Sequence, residues 1–331
     1  MISSACTPLA DVLLALDDFA DRLRCPQSGA TLTRAQHDGQ EVWTANQSGA
    51  AVQYPTIDGR PALVDFAHSV IDRDTALRSH GESLIARRDG RFAGAARRLM
   101  SGGNEVATAH CGDMIERLHA QSSEGGAPVV LIVGGGTRGA GAGALYDDPR
   151  IGVIAFDIYA TPLVQFIADA HAIPLADRSV DAVWVQAVLE HVLDPSRVVE
   201  EIHRVLKPAG IVYAETPFMQ QVHEGAFDFH RFSPSAHRWL FRAFDAIDQG
   251  TVAGPGTVLL WSWRYFIGGL TRSRLAGALA AAPFFWLRYF DRAIGARHAA
   301  DGASCVFFYG RKSDRLLTVP ELVSTYPGAQ R

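Results

Sequence analysis

The chain is poor in cysteine: Cys6, Cys25, Cys111 and Cys305 are scattered along 331 residues and form no CxxC pair. That excludes a disulfide framework and an intact zinc ribbon. Long apolar runs are missing too. The longest uncharged apolar-rich runs near the C-terminus, "TVAGPGTVLLWSW" and "LAGALAAAPFFWL", are 13 residues each, short of the roughly 18 to 20 that a bilayer-spanning helix needs. There is no basic surplus. A formal net charge of -4 gives no electrostatic case for nucleic acid, which shows as a basic domain or stripe. The N-terminus "MISSACTPLADVLLALDDFADRL" lacks a basic lead and carries Asp11, Asp17 and Asp18, unlike a secretory signal. These absences together predict a reducing, cytoplasmic setting. Internal repeats and low-complexity tracts are also missing.

Hydrophobic residues make up 48% and charged residues 20% of the chain, values ordinary for a globular protein with a sizeable core. Residues 1–22 read as an amphipathic helix. Residues 23–66 alternate short β-like pieces with Ser28-Gly29, Asp38-Gly39, Ser48-Gly49 and Asp58-Gly59 turns, which predicts a small meander. A helical segment over 67–126 ends in the loop "SSEGGAP".

From Val129 apolar strand runs alternate with helical patterns: "VVLIV", "IGVIAFD", "VDAVWVQ" and "GIVYAET", then "FDAIDQGTV" and "ASCVFFYGRK". Such alternation predicts βαβ units, a mostly parallel sheet and helices on both faces. Helices fit at 137–146, 160–170, 195–206 and 234–243. The core is expected over 127–250, a Trp- and Phe-rich helical lid or interfacial insertion over 251–300, and the last strand with a tail over 301–331.

After "VVLIV" the residues Gly134, Gly136 and Gly139 stand at G-x-G-x-x-G spacing. Glycines there let the backbone turn tightly and approach a ligand, which the next helix meets with its N-terminal NH groups. Asp157, 21 residues beyond Gly136, is placed to accept hydrogen bonds from ribose hydroxyls. Dinucleotides and S-adenosylmethionine both have such hydroxyls, so the loop by itself does not choose.

The downstream stretch "ADAHAIPLADRSVDAVWVQAVLEHVLDPSRVVEEIHRVLKPAGIVYAETP" resembles class I S-adenosylmethionine-dependent methyltransferases of type 11. Their pattern runs acid-Ala, Leu-Pro-Phe, Ser-Phe-Asp, Leu-Glu-His, then Arg-Val-Leu-Lys-Pro-Gly-Gly. The resemblance implies a Rossmann-like, mostly parallel seven-stranded sheet with an antiparallel last strand, Ser304 to Gly310. It implies S-adenosylmethionine as cofactor, with Gly134, Gly135, Gly136 and Thr137 on its methionine and ribose side. Asp157 and Ile158 would meet the ribose, Asp169 and Ala170 the adenine, and Gln186 the methyl region. One departure is Ile132, where family members carry an acid two positions before the first glycine; Arg138 or Thr137 would then hold the cofactor carboxylate. In "LEHV", Glu190 reads as local hydrogen bonding and His191 as fastening the loop.

In open α/β sheets the acceptor lies beyond the carboxyl ends of the strands, here the loop "FMQQVHEGAFDFHRFSP". His223 is the first candidate base and His230 the second, with Glu224, Asp228 and Arg231 as substrate-binding residues. No familiar metal-ligand spacing matches there, so no metal is expected. The acceptor implied is a small molecule or a glycan-type compound, methylated on O or N. Two other readings are a binding scaffold of this fold without turnover and an NAD(P)-dependent oxidoreductase. "LRCP" and "YPTIDGRPALVD" in residues 23–66 resemble a zinc-ribbon-like domain that keeps only Cys25 as a ligand, hence a degenerate, metal-free one. Arg78, Arg87, Arg88, Arg91, Arg97 and Arg98 form a positive stretch read as a solvated helix face. Arginines among the aromatics of residues 257–296 suit either a lid or peripheral membrane contact. The oligomeric state is not legible.

Overall fold

A computed structural model describes residues 12–47, 50–78, 103–121 and 126–330. Residues 1–11 of the expected N-terminal helix, and the arginines from Arg87 to Arg98, lie outside the described residues. The chain divides into two compact units, Met1–Leu84 with Thr108–Val185 and Asp194–Val212, and Ile85–Ala107 with Gln186–Leu193 and Tyr213–Arg331. Both are assembled from several pieces of chain, so composition shifts along the sequence do not mark them.

In the first unit, β5 (Val129–Val133), β6 (Gly152–Asp157), β7 (Phe166–Ala168) and β8 (Val180–Gln186) pair in parallel in the order β7-β6-β5-β8. Their side chains are buried almost throughout, as parallel strands covered on both faces require. β5 is followed by β6 on one side and flanked by β8 on the other. The carboxyl end of β5 is therefore a topological switch point.

β7 corrects the sequence reading, which places a helix over 160–170. "TPLVQFIADA" has helix-like composition, but Phe166, Ile167 and Ala168 are buried between two strands, and tertiary pairing outweighs local propensity. The expected helix at 137–146 shrinks to α3 (Ala144–Asp147), because Gly139, Gly141 and Gly143 interrupt it. Earlier helices are α1 (Arg73–Arg78) and α2 (Glu105–Gln121).

The meander exists as β1 (Thr33–His37), β2 (Gln40–Gln47), β3 (Ala50–Ile57) and β4 (Arg60–Leu63). It is not separate from the sheet: β4 pairs in parallel with β7, Ala62 opposite Ile167 and Leu63 opposite Ala168. Four strands thus join the expected seven, β5 to β11. Cys25, the remaining ribbon position, is buried and packs its Sγ 3.1 Å from the Tyr54 hydroxyl. Within the described part of the expected N-terminal helix, Leu16–Arg22 is a 3-10 helix rather than an α-helix. It drives Phe19 against Phe166 at 6.2 Å between ring centroids.

α4 (Pro195–Val205) begins where Asp194 accepts from the Arg197 NH at 3.1 Å and Pro195 supplies a preset φ. Val198, Val199, Ile202 and Val205 form its buried face.

The second unit holds the carboxyl half of β9 (Leu206–Pro217), β11 (Cys305–Lys312) and β10 (Phe244–Ala253), in that order. β10 and β11 are antiparallel from Phe244 opposite Lys312 to Ala253 opposite Cys305, as the resemblance implies. α5 (Pro234–Leu240) packs Phe241 on Phe308 at 4.8 Å, and Arg238 caps the Phe241 and Phe244 carbonyls at 2.7 and 3.0 Å. α6 (Pro255–Thr271), α7 (Arg274–Ala281), a 3-10 stretch (Ala282–Arg292), α8 (Ala296–Asp301) and α9 (Val319–Ser324) complete it.

His237 of α5 is buried among these rings, its Nε2 without a hydrogen-bond partner among the described residues. Burial pushes its imidazole from 6.5 down to about 3. Between those values the unfolded chain binds a proton that the folded chain refuses. The stability involved is complete above 6.5 and is lost as pH falls toward 3. His237→Phe should flatten the loss of the urea midpoint with falling pH over that window; an unchanged slope would contradict this assignment.

Candidate functional site

In the first unit the polar residues gather at the strand ends around the switch point. Gly134 turns with φ 75°, a left-handed conformation that glycine adopts without steric cost. The NH groups of Gly134 and Gly135 then donate to the Phe156 carbonyl at 3.1 and 2.9 Å. Gly136 donates its NH to Asp157 Oδ2 at 2.8 Å, and the Ile158 NH donates to Asp157 Oδ1 at 2.7 Å. The Asp157 carboxylate is therefore oriented by two backbone donors before any ligand arrives. A Cβ on Gly136 would lie 2.6 Å from the Tyr159 ring and 2.7 Å from Asp157 Oδ2, so a side chain there would displace the ring or the carboxylate. Ile158 beside it is 42% exposed, an apolar surface suited to a flat ring.

Ile132 is buried in β5 between Ala155 and Trp184. Arg138, one of its expected substitutes, lies 3.3 Å from Asp147 and stacks over Tyr146 at 5.0 Å. Asp169 is buried and accepts from the His171 NH at 3.0 Å, from His171 Nδ1 at 2.6 Å and from the Ser69 hydroxyl. Burial would raise its carboxyl, but these donors hold it below the ordinary value. A cleft of about 220 Å³ opens beside it, lined by Leu63, Ser69, His171 and Arg197 among others.

The second unit carries the other candidates. Gln186 donates to Glu215 Oε2 at 2.9 Å, Asn104 reaches both Glu215 oxygens at 2.8 and 3.0 Å, and the Tyr213 hydroxyl donates to the same carboxylate. Glu215, a buried polar hub, is absent from the sequence reading; the acid that ends the apolar run "GIVYAETP" was its signal. Ala187 follows at φ 54°, a left-handed non-glycine residue, the kind of local strain found at functional sites.

Glu190 is almost wholly buried, and its Oε2 has no hydrogen-bond partner among the described residues. Burial pushes its carboxyl up to about 8. His191 Nδ1 lies 2.8 Å from the Phe227 carbonyl, which fastens the loop as expected. A carbonyl only accepts, so Nδ1 carries the proton and Nε2 is left as a lone pair. Burial also lowers the His191 pKa, favouring the neutral ring.

The loop after β9 is braced internally. Arg231 pairs with Asp228, 2.8 Å between Nη2 and Oδ2, and donates to the Gln220 and Gln221 carbonyls at 2.7 and 3.1 Å. Burial opposes the charge on Asp228, yet Arg231 and the His223 NH hold its carboxyl far below the usual range. Both side chains spend their polar atoms inside the loop rather than facing a substrate. Glu224 accepts from the Phe227 NH through its carbonyl at 3.2 Å. The His230 Nε2 lies 3.3 Å from the Leu193 carbonyl, which engages it structurally.

His223 is placed differently. Its Nδ1 is 3.3 Å from Asp228 Oδ2, while its Nε2 lies 3.7 Å from Glu190 Oε1. The His191 Nε2 lies 3.7 Å from that same oxygen. His223 thus converges with the adjacent pair Glu190 and His191, which sequence spacing does not connect to it, and the ligand-type atoms of the three all fall within 4.8 Å of one another. The expectation of no metal set came from local spacing, which could not show this.

α6 is tied to the loop by Tyr265, donating to the Val222 carbonyl at 2.8 Å, and by Ser262 and Gln221 at 3.1 Å. That is lid-like. Much of the apolar surface of the segment nevertheless faces outward: Phe266, Leu270, Leu275, Leu279 and Phe290 are all more than half exposed.

A family model described as "Methyltransferase domain" matches residues 133–214. The chain is 30% identical over 169 residues to demethylmenaquinone methyltransferase of Renibacterium salmoninarum, a match that covers 42% of this chain and 71% of that protein. It is 43% identical over 44 residues to an uncharacterised 37.1 kDa protein in transposon TN4556 of Streptomyces fradiae, where the match spans 13% of either chain. Among solved structures it is similar to phosphoethanolamine N-methyltransferase 2 of Haemonchus contortus in complex with S-adenosyl-L-methionine. That likeness has a TM-score of 0.44 at 14% identity and covers 85% of this chain and 71% of the other.

Proposed function

The chain belongs to the class I S-adenosylmethionine-dependent methyltransferases, and we propose that it transfers the methyl group to an O or N atom of a small-molecule or glycan-type acceptor. The cofactor would lie at the carboxyl end of β5, with Gly134 to Thr137 against its methionine and ribose, Asp157 and Ile158 at the ribose, and Asp169 and Ala170 at the adenine. What supports this is the preset Asp157 carboxylate, held by the Gly136 and Ile158 NH groups beside the glycine loop. Gln186 would face the methyl region.

The acceptor is placed at the loop after β9, against Glu190, His191 and His223. Methyl transfer from a sulfonium mainly needs alignment of the nucleophile and removal of its proton. The convergence of these three side chains supports proton removal there. Of the two candidate bases read from sequence, His223 stands in the cluster and His230 outside it.

A second reading, a scaffold without turnover, draws on Ile132, a buried apolar residue where the family carries an acid. Isothermal calorimetry with S-adenosylmethionine and S-adenosylhomocysteine separates the two. Binding to the wild type that falls at least 10-fold in Gly136→Val or Asp157→Asn is the expected result; no binding would favour the scaffold. His223→Ala should lower kcat by about 10² to 10⁴-fold, the range for a lost acid-base group, with cofactor affinity unchanged. Turnover at the wild-type rate would remove His223 from the reaction.

The segment of α6, α7 and the following 3-10 stretch, with its exposed apolar residues, also holds Arg264, Arg272, Arg274, Arg288 and Arg292, the last paired with Glu105, and within it the single acid Asp291, whose oxygens accept from the NH groups of Gly254 and Gly256 at 3.1 and 2.6 Å. Among the described residues no helix is long and apolar enough to cross a membrane. We place this segment on an anionic lipid surface, lying in its interface. Co-sedimentation should be stronger with vesicles of phosphatidylcholine plus phosphatidylserine than with phosphatidylcholine alone, and weaker for Phe266→Ser/Leu270→Ser. Equal recovery in all cases would sink the idea.

A further inference from the structure

We propose that Glu190, His191 and His223 form a binding site for one divalent transition-metal ion, which holds the acceptor's nucleophilic atom. Its purpose rests on the methyltransferase reading above, whereas the site itself rests only on its own geometry.

His191 Nε2 and, once its proton is given up, the Glu190 carboxylate are hydrogen-bond acceptors that face His223 Nε2. Each nitrogen stands 3.7 Å from the oxygen, and all three lie within 4.8 Å of one another. Acceptors aimed at a common point repel unless something positive sits between them. In a tetrahedral site with bonds of about 2.1 Å, ligand atoms lie about 3.4 Å apart, so a cation would need to draw the Glu190 contacts in by only a few tenths of an ångström.

The groups behind these ligands favour a metal over a lone proton. Ligating histidines usually donate their other ring NH to a carbonyl or carboxylate, which fixes the ring and turns the bare nitrogen inward. His191 does so to the Phe227 carbonyl at 2.8 Å. His223 Nδ1 lies 3.3 Å from Asp228 Oδ2 and 3.4 Å from Gln220 Nε2, its backbone NH donates to Asp228 at 2.8 Å, and Arg231 holds Asp228 in turn. The second Glu190 oxygen is buried and unpartnered among the described residues. A buried carboxylate without a counter-charge is costly, and a cation supplies one.

Two imidazoles and one carboxylate suit zinc, manganese, iron, cobalt or nickel; magnesium and calcium prefer all-oxygen ligand sets. Three protein ligands leave coordination positions open, and the His223 side chain is 27% exposed, so a ligand can reach them. With His223 then a metal ligand in place of the base proposed above, an acceptor hydroxyl or amine bound there would become more acidic and lose its proton to water. Its freed electron pair then forms the bond to the methyl carbon as the carbon–sulfur bond breaks, and sulfur keeps that pair as a neutral thioether.

The test uses the full chain without a histidine tag, stripped with chelator and dialysed against Zn²⁺, Mn²⁺ or Co²⁺. Metal content is read by mass spectrometry and affinity by calorimetry. One equivalent of at least one ion should bind, and Glu190→Gln and His223→Ala should each weaken it 10-fold or more. His37→Ala, at an exposed histidine elsewhere, should retain it. S-adenosylmethionine binding, measured on the same samples, reports separately on fold and family. No stoichiometric metal, or equal loading of all variants, overturns the metal site. Metal lost only in the cluster variants carries the site even where the cofactor fails to bind, and that failure counts against the methyltransferase reading alone.

Discussion

A parallel sheet buried on both faces can show polar chemistry only where its strands end. In this chain that constraint decides where nearly every functional candidate stands. Asp157 is the last residue of β6, Asp169 follows β7, Gln186 closes β8 and Glu215 stands two residues before the end of β9. Within the strands themselves the residues are almost uniformly apolar and buried. Each of these polar side chains costs desolvation, and each is compensated by donors: backbone NH groups for Asp157, His171 and Ser69 for Asp169, Asn104, Gln186 and Tyr213 for Glu215.

Glu190 breaks that pattern. It is as deeply buried as any of them, yet one oxygen lacks a donor and its charge is suppressed by burial. In a fold that satisfies its other strand-end carboxylates with care, an exception of this kind marks a place prepared for something the chain does not itself supply.

The long apolar runs were legible because fully buried strands leave a continuous signature in the sequence. The glycine loop and Asp157 were legible for a related reason: a tight turn after such a strand admits few residue types. Three things were hidden. β7 is only three residues long, and its partners on either side, not its own sequence, make it a strand. Glycines 139 to 143 sit inside a stretch otherwise able to be helical. Finally, His223 follows His191 by 32 positions, so no local spacing could pair them. The sequence suggested a base in the loop after β9, and folding gives that residue its companions from the segment after β8.

The pairing of β4 with β7 also bears on how the chain comes into being. Ala62 meets Ile167 across more than a hundred intervening residues, and contacts so distant in sequence close late. On the ribosome the hairpin strands emerge long before their docking edge exists, with the open side of β4 unmet in the meantime. An unpaired strand edge invites other chains. The meander is thus synthesised well before the strand it docks on and is among the last parts seated, an interval in which nascent-chain chaperones have most to protect.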